Sequence, residues 1–319
     1  MSFMYNPFPF DDPKPVNRPE LSKKTIDAVV SGGTPAVAKK FAASVIESAR
    51  ESNRILAFDG YTTVDWKLFL NLVARECRIA GVEFVSIDQN KECFKSGEEI
   101  DNMIDPLLIW DTKIDPTLLY GKIYKGGYEG LLDEVKTKKF EENVMSLKEG
   151  KGKVVAVYGY GCLIPRFRKL YDVKCFFDIT PKTSILRIRG GEYSNIGKER
   201  PDQINRVIRR CYYCDFEIAV CNRRELLHNS AIDFFFLADD PKNIVMMPFE
   251  TFSDICAQLV KYPFRAKPCY LEGVWGGSYM KKLRHLPDNM RNAAWVFDFI
   301  PMEVSVLVKV GGETLDINF

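Results

Sequence analysis

The chain has 319 residues, 45 Lys and Arg against 43 Asp and Glu for a net charge of +2, and is 46% hydrophobic and 13% aromatic. That balance leaves no global field to recruit nucleic acid or a membrane surface, and the apolar content is ample for a packed core, which excludes a disordered chain. No run approaches about eighteen apolar residues, the start of the chain is proline-rich and aromatic, and the nine cysteines are odd in number and scattered; the expectation is a chain without signal peptide or membrane span, with reduced thiols, in the cytoplasm.

Residues 1 to about 20 hold Pro7, Pro9, Pro13, Pro15 and Pro19 and predict an extended arm. A short helix from Ser22 to Val30 stops at Gly32-Gly33, and a second opens with Thr34 as N-cap and Pro35 at its first position. Arg54 to Gly60 predicts a buried strand, Asp65 to Ala80 an amphipathic helix and Glu83 to Asp88 a second strand, which makes a crossover unit. Further strands are expected at Leu107–Trp110, Lys153–Tyr158, Val173–Asp178 and Asp233–Leu237, with helices between several of them and another near Phe252–Lys261. Such alternation predicts an α/β fold with a doubly wound, mainly parallel sheet. After Pro263 and Pro268 the pattern changes, and Val304–Val310, Gly311-Gly312 and Thr314–Phe319 predict a β-hairpin. The expected division is an arm with helices over 1–52, the α/β domain over 53–265 and a small β segment over 266–319.

The turn after the first strand runs Gly60-Tyr-Thr-Thr-Val-Asp-Trp-Lys67-Leu68. A phosphate-binding loop needs glycines so that successive N–H groups can surround phosphate oxygens, a lysine for the outer phosphates and a hydroxyl for magnesium. Here the second glycine is replaced by Val64 or Asp65, the lysine comes one place late, and Leu68 follows where a hydroxyl belongs. Gly60, Thr62, Thr63 and Lys67 are therefore candidate phosphate contacts in a degraded loop, to be weighed against a turn that keeps the fold and not the chemistry. Asp59 and Asp88 end the first two strands, at the edge where α/β sheets place functional carboxylates; each equally suits a helix cap.

Arg54 to Pro248 resembles the uridine-kinase-like branch of P-loop proteins, the second match being Phe177-Asp-Ile-Thr-Pro-Lys-Thr-Ser-Ile-Leu-Arg-Ile-Arg-Gly190 with Lys198-Glu-Arg200. The resemblance implies an arginine-bearing lid that clamps phosphate, onto which Arg187, Arg189, Lys198 and Arg200 fall, and it favours Asp88 as the carboxylate that approaches a substrate hydroxyl. Lys267-Pro-Cys-Tyr-Leu-Glu-Gly-Val-Trp-Gly-Gly277, with Asn292-Ala-Ala-Trp-Val-Phe-Asp-Phe299 and Val304-Ser-Val-Leu307, resembles the opening of a type I phosphomannose isomerase, a cupin family that interconverts mannose 6-phosphate and fructose 6-phosphate at a zinc site. That resemblance implies a protein of sugar-phosphate metabolism, catalytically incomplete in this chain because the Gln-x-His zinc ligands would lie further downstream. Zinc would then enter only with a downstream barrel, as in a separate cupin-bearing chain. The alternatives are a nucleoside or sugar kinase with a divergent loop, against which the degraded loop argues, and a non-catalytic module that binds a phosphorylated sugar or nucleotide. Cys211-Tyr-Tyr-Cys214, with Cys221 and His228, has thiols that could hold a metal; on one face of a helix they are expected instead to pack as small hydrophobes, so no metal ligand and no cofactor is assigned.

Overall fold

The structure is a computed structural model that describes residues 16–111, 113–115, 120–261, 267–268 and 304–318. Ten strands are present among the described residues: β1 (Val16–Asn17), β2 (Arg54–Gly60), β3 (Glu83–Asp88), β4 (Lys153–Tyr158), β5 (Val173–Asp178), β6 (Phe234–Leu237), β7 (Val245–Pro248), β8 (Lys267–Pro268), β9 (Val304–Val310) and β10 (Glu313–Asn318). Between them lie α1 (Lys23–Asp27), α2 (Thr34–Glu51), α3 (Lys67–Ile79), α4 (Gln89–Cys93), α5 (Gly97–Ile104), α6 (Glu134–Leu147), α7 (Pro181–Arg189), α8 (Ile204–Arg210), α9 (Phe216–His228) and α10 (Phe249–Leu259). Short 3₁₀ turns link some of them, and a π-helical turn over Cys211–Asp215 joins α8 to α9.

Six strands form one sheet in the order β3-β4-β2-β5-β6-β7, parallel throughout except that β7 runs against β6. The chain thus starts in the middle at β2, moves out to β3, returns through β4, and crosses over β2 to build the other half. β2 is buried from Ile55 to Gly60, as a strand covered on both faces must be, whereas β3 at the edge is only partly covered. On one face α2 and α3 pack through an aromatic cluster in which Phe41, Phe58, Phe69, Phe177 and Phe236 meet with ring centroids 4.2–6.1 Å apart, mostly edge to face. On the other, Phe252 of α10 stacks on Phe235 at 3.9 Å and α9 reaches Asp59.

A second sheet joins β1 to strands from residues 267–318. β1 pairs in parallel with β9, β9 forms a hairpin with β10 through Gly311-Gly312, and β8 adds to the far end of β9. Val306, Val308, Val310, Leu315 and Ile317 from this hairpin belong to the same continuous core as the large sheet.

The mainly parallel α/β sheet and the hairpin agree with the sequence, and local boundaries differ. Thr34 is the first residue of α2 and not its cap, since its hydroxyl is taken by the Pro241 carbonyl at 2.7 Å. The strand expected at Leu107–Trp110 is absent. Pro106 lies in a 3₁₀ turn, Leu108 makes one bridge to Gly121, and Trp110 turns beneath the guanidinium groups of Arg206 and Arg209 at 4.7 and 4.8 Å. Asp233 stays outside β6, and its carboxylate accepts from the Lys174 N–H at 2.7 Å. No helix of the described residues is long and apolar enough to cross a membrane. Trp275-Gly-Gly and Trp295 lie outside the described residues, as does the arm before Val16.

Candidate functional site

Open α/β sheets bind ligands at the carboxyl ends of strands, where successive connections leave in opposite directions. In this chain β2 departs toward β3 and β4 departs across it toward β5, so the crevice lies over the ends of β2, β4 and β5. The turn at residues 60–66 occupies that place, and it is closed. Thr62 is 2%, Thr63 6%, Val64 6% and Trp66 9% exposed. The Tyr61 N–H donates to the Phe177 carbonyl at 2.9 Å, Thr63 N–H to the Tyr160 hydroxyl at 3.1 Å and Val64 N–H to the Tyr61 carbonyl at 3.2 Å. Amides that a phosphate loop would aim at oxygens of a ligand are used within the protein.

Thr63 sits at φ +74°, a left-handed conformation that costs a β-branched residue ~1–2 kcal/mol. Its surroundings over-determine it. Arg187 of α7 donates to the Thr63 carbonyl at 2.8 Å and, with its second nitrogen, to the Asp239 carbonyl at 2.9 Å. Ser184 bonds the Thr63 hydroxyl at 3.2 Å and donates to the Thr62 carbonyl at 3.0 Å. Gly60 is required by packing, because a Cβ there would stand 2.6 Å from Val64 Cγ1 and 2.9 Å from the Phe177 carbonyl.

Beneath the turn, the Asp59 carboxylate accepts from the N–H groups of Gly60 (2.7 Å), Gly161 (3.0 Å) and Leu163 (2.9 Å) and from Asn222 of α9 (3.1 Å). Burial pushes its pKa up to about 6, against the pull of these four bonds. A carboxyl group poised there could exchange a proton near neutrality, but it is wholly enclosed and ties together β2, the loop after β4 and α9. Two further carboxylates lie buried on the same side. Asp178, ending β5, pairs with Arg223 of α9 at 2.9 Å and accepts from Asn318 of β10 at 3.3 Å. Asp215, in the π-helical turn, accepts from Asn195 at 2.8 Å and the Tyr193 hydroxyl at 3.0 Å. Burial raises the pKa of both despite these partners.

The other sequence candidates are dispersed. Lys67 begins α3 with its side chain exposed, and its N–H is held by Asp65 at 2.9 Å. Arg187 alone of the four lid cations reaches the turn; Lys198 pairs with Asp101 of α5, and Arg189 and Arg200 are exposed. Asp88 caps α4, accepting from the Lys91 N–H at 3.3 Å, and stands two strands away from β2 at the sheet edge. Cys211 and Cys214 are fully buried free thiols, and no group of three or more possible metal ligands occurs among the described residues. Sequence reasoning did not single out Tyr160, Ser184, Asp178, Asp215, Asn222 or Arg223. The Tyr158-Gly-Tyr-Gly161 run directly after a strand was a usable signal for the first of these.

Residues 33–261 match the family described as a domain of unknown function, DUF8485. The chain belongs to this family. The DUF8485 region takes in the whole six-stranded sheet and α2 to α10, and leaves the terminal strands β1 and β8 to β10 outside it. No curated protein matches the chain. A solved structure described as a candidate fructose transport system kinase from Silicibacter sp. TM1040 is similar over 59% of this chain and 94% of its own, with 11% sequence identity and a TM-score of 0.38, a likeness too slight to speak for function.

Proposed function

We propose that this DUF8485 protein is a kinase-like α/β module that does not transfer phosphate, and that a phosphorylated sugar is the ligand class to test on it. One observation carries the first half: the turn that should cradle a triphosphate is buried, its Tyr61, Thr63 and Val64 amides are bonded within the protein, and the one lid arginine that reaches it, Arg187, is spent on backbone carbonyls. Phosphate binding requires amides and cations turned toward the ligand. The second half rests on the resemblance of Arg54–Pro248 to nucleoside kinases and of Lys267–Leu307 to the opening of a phosphomannose isomerase, an affiliation put forward as a family relation.

Calorimetry with millimolar ATP or GTP and magnesium should give no binding heat, and a thermal-shift series with mannose 6-phosphate and fructose 6-phosphate should raise the midpoint where the nucleotides do not. Binding of ATP with magnesium, lost in Lys67→Ala, would overturn the non-catalytic reading and favour a kinase with a divergent loop. Absence of any shift with the sugar phosphates would remove the ligand class while leaving the closed turn intact.

A further inference from the structure

Between α9, α10 and the β9–β10 hairpin lies a cavity of about 340 Å³. It falls within the range of small-molecule sites, which are mostly apolar with a few convergent polar groups. Its walls come from three elements that the sequence places far apart. Leu227 of α9 and Phe249, Phe252 and Leu259 of α10 form two sides, and Val306 and Ile317 of the terminal hairpin form the third. The wall at Phe252 is held in place, because that ring stacks on the sheet residue Phe235 at 3.9 Å and Phe249 leans against it, tilted, at 6.2 Å.

The polar groups define what could enter. Arg223 and Asn318 stand at one end, but the guanidinium charge is already matched by Asp178 and its nitrogens are held by Asp178 and by the Asn318 carbonyl at 2.8 Å. An anionic group there would have to compete with a buried carboxylate. Cys256 supplies a thiol that burial pushes up to about 11, so it stays protonated and serves as wall and not as nucleophile. Ser253, on the exposed side of α10, places a hydroxyl at the mouth. Among the described residues the lining therefore offers no uncompensated charge, and Ser253 is its exposed hydrogen-bonding group.

We infer that this cavity is a binding site for a small uncharged molecule, largely hydrocarbon, with a single hydrogen-bonding group directed to Ser253. The site is independent of the closed turn and of any phosphate chemistry. N-phenyl-1-naphthylamine, an uncharged aromatic whose fluorescence rises in apolar surroundings, is a suitable probe for the full chain. Wild-type protein should bind it saturably, and Cys256→Phe, which fills the inner wall, and Ser253→Trp, which covers the mouth from an exposed position, should each weaken binding by roughly tenfold or more. Far-UV circular dichroism and the melting midpoint report whether either variant has lost its fold; Ser253→Trp is the safer of the two because its side chain starts in solvent. Decanoate, an apolar probe with a charged head, should compete much less well than decanol. The inference is overturned if wild-type protein gives no saturable signal, if both folded variants bind the probe as wild type does, or if decanoate displaces it better than decanol.

Discussion

Thr63 shows how a single residue can report on the purpose of a turn. A threonine at φ +74° is strained, and the strain is held by Tyr160, Ser184 and the Arg187 fork. Thr63→Gly relieves it while losing one hydroxyl contact, whereas Thr63→Ala loses the contact and keeps the strain; chemical denaturation should find the glycine variant more stable than the alanine variant by about 1 kcal/mol. Arg187→Lys should destabilise the fold by roughly 2 kcal/mol, because an ammonium cannot span the Thr63 and Asp239 carbonyls that the planar fork bridges. Asp59 gives a pH signature. Its folded pKa of about 6 lies above that of an unfolded aspartate, so its contribution favours folding at acid pH and is lost as the pH rises through 6. The size is on the order of 3 kcal/mol. Stability measured by urea unfolding should rise as the pH falls from 7 toward 4.5, and Asp59→Asn, less stable throughout, should flatten that rise.

Among the elements, the β9–β10 hairpin is bound to the large sheet by one buried polar junction. Arg223 on α9 holds both Asp178 and the Asn318 carbonyl, and Asn318 in turn donates to Asp178. Removing one partner from a buried pair leaves a charge without compensation, so Arg223→Ala should cost about 3–5 kcal/mol, with the hairpin amides losing hydrogen-exchange protection before those of β2. Replacing Asp178 and Arg223 together by an apolar pair should cost much less than Arg223→Ala alone, which a double-mutant cycle would measure. The π-helical turn between α8 and α9 works at the same scale: it faces Asp215 inward toward Tyr193 and Asn195, so that α8 and α9 grip the segment before them.

Across the whole molecule, what was legible in the sequence followed from periodicity and burial. β2, β4 and β5 read as short apolar runs because both faces of a parallel strand are covered, and β9 and β10 read as a hairpin because Gly311-Gly312 separates them. What escaped depended on distance. Nothing near Trp110 announces that two arginines about a hundred residues later will stack on it, and nothing local to Asp59 foretells that Asn222 and the loop after β4 will enclose it. The weakness of the phosphate turn was visible in its missing glycine and acidic insert, but its closure was not, since that needed Arg187, Ser184 and Tyr160 brought in by other elements. The pairing of β1 with β9 bears on how the protein is made. Asn17 also donates through its side chain to the Leu307 carbonyl, 290 positions away. A ribosome delivers the chain from its amino end, so β1 emerges long before its partner and its edge waits unpaired until β9 follows. The central sheet can assemble during that interval, while β1 can find its place only once synthesis has reached β9.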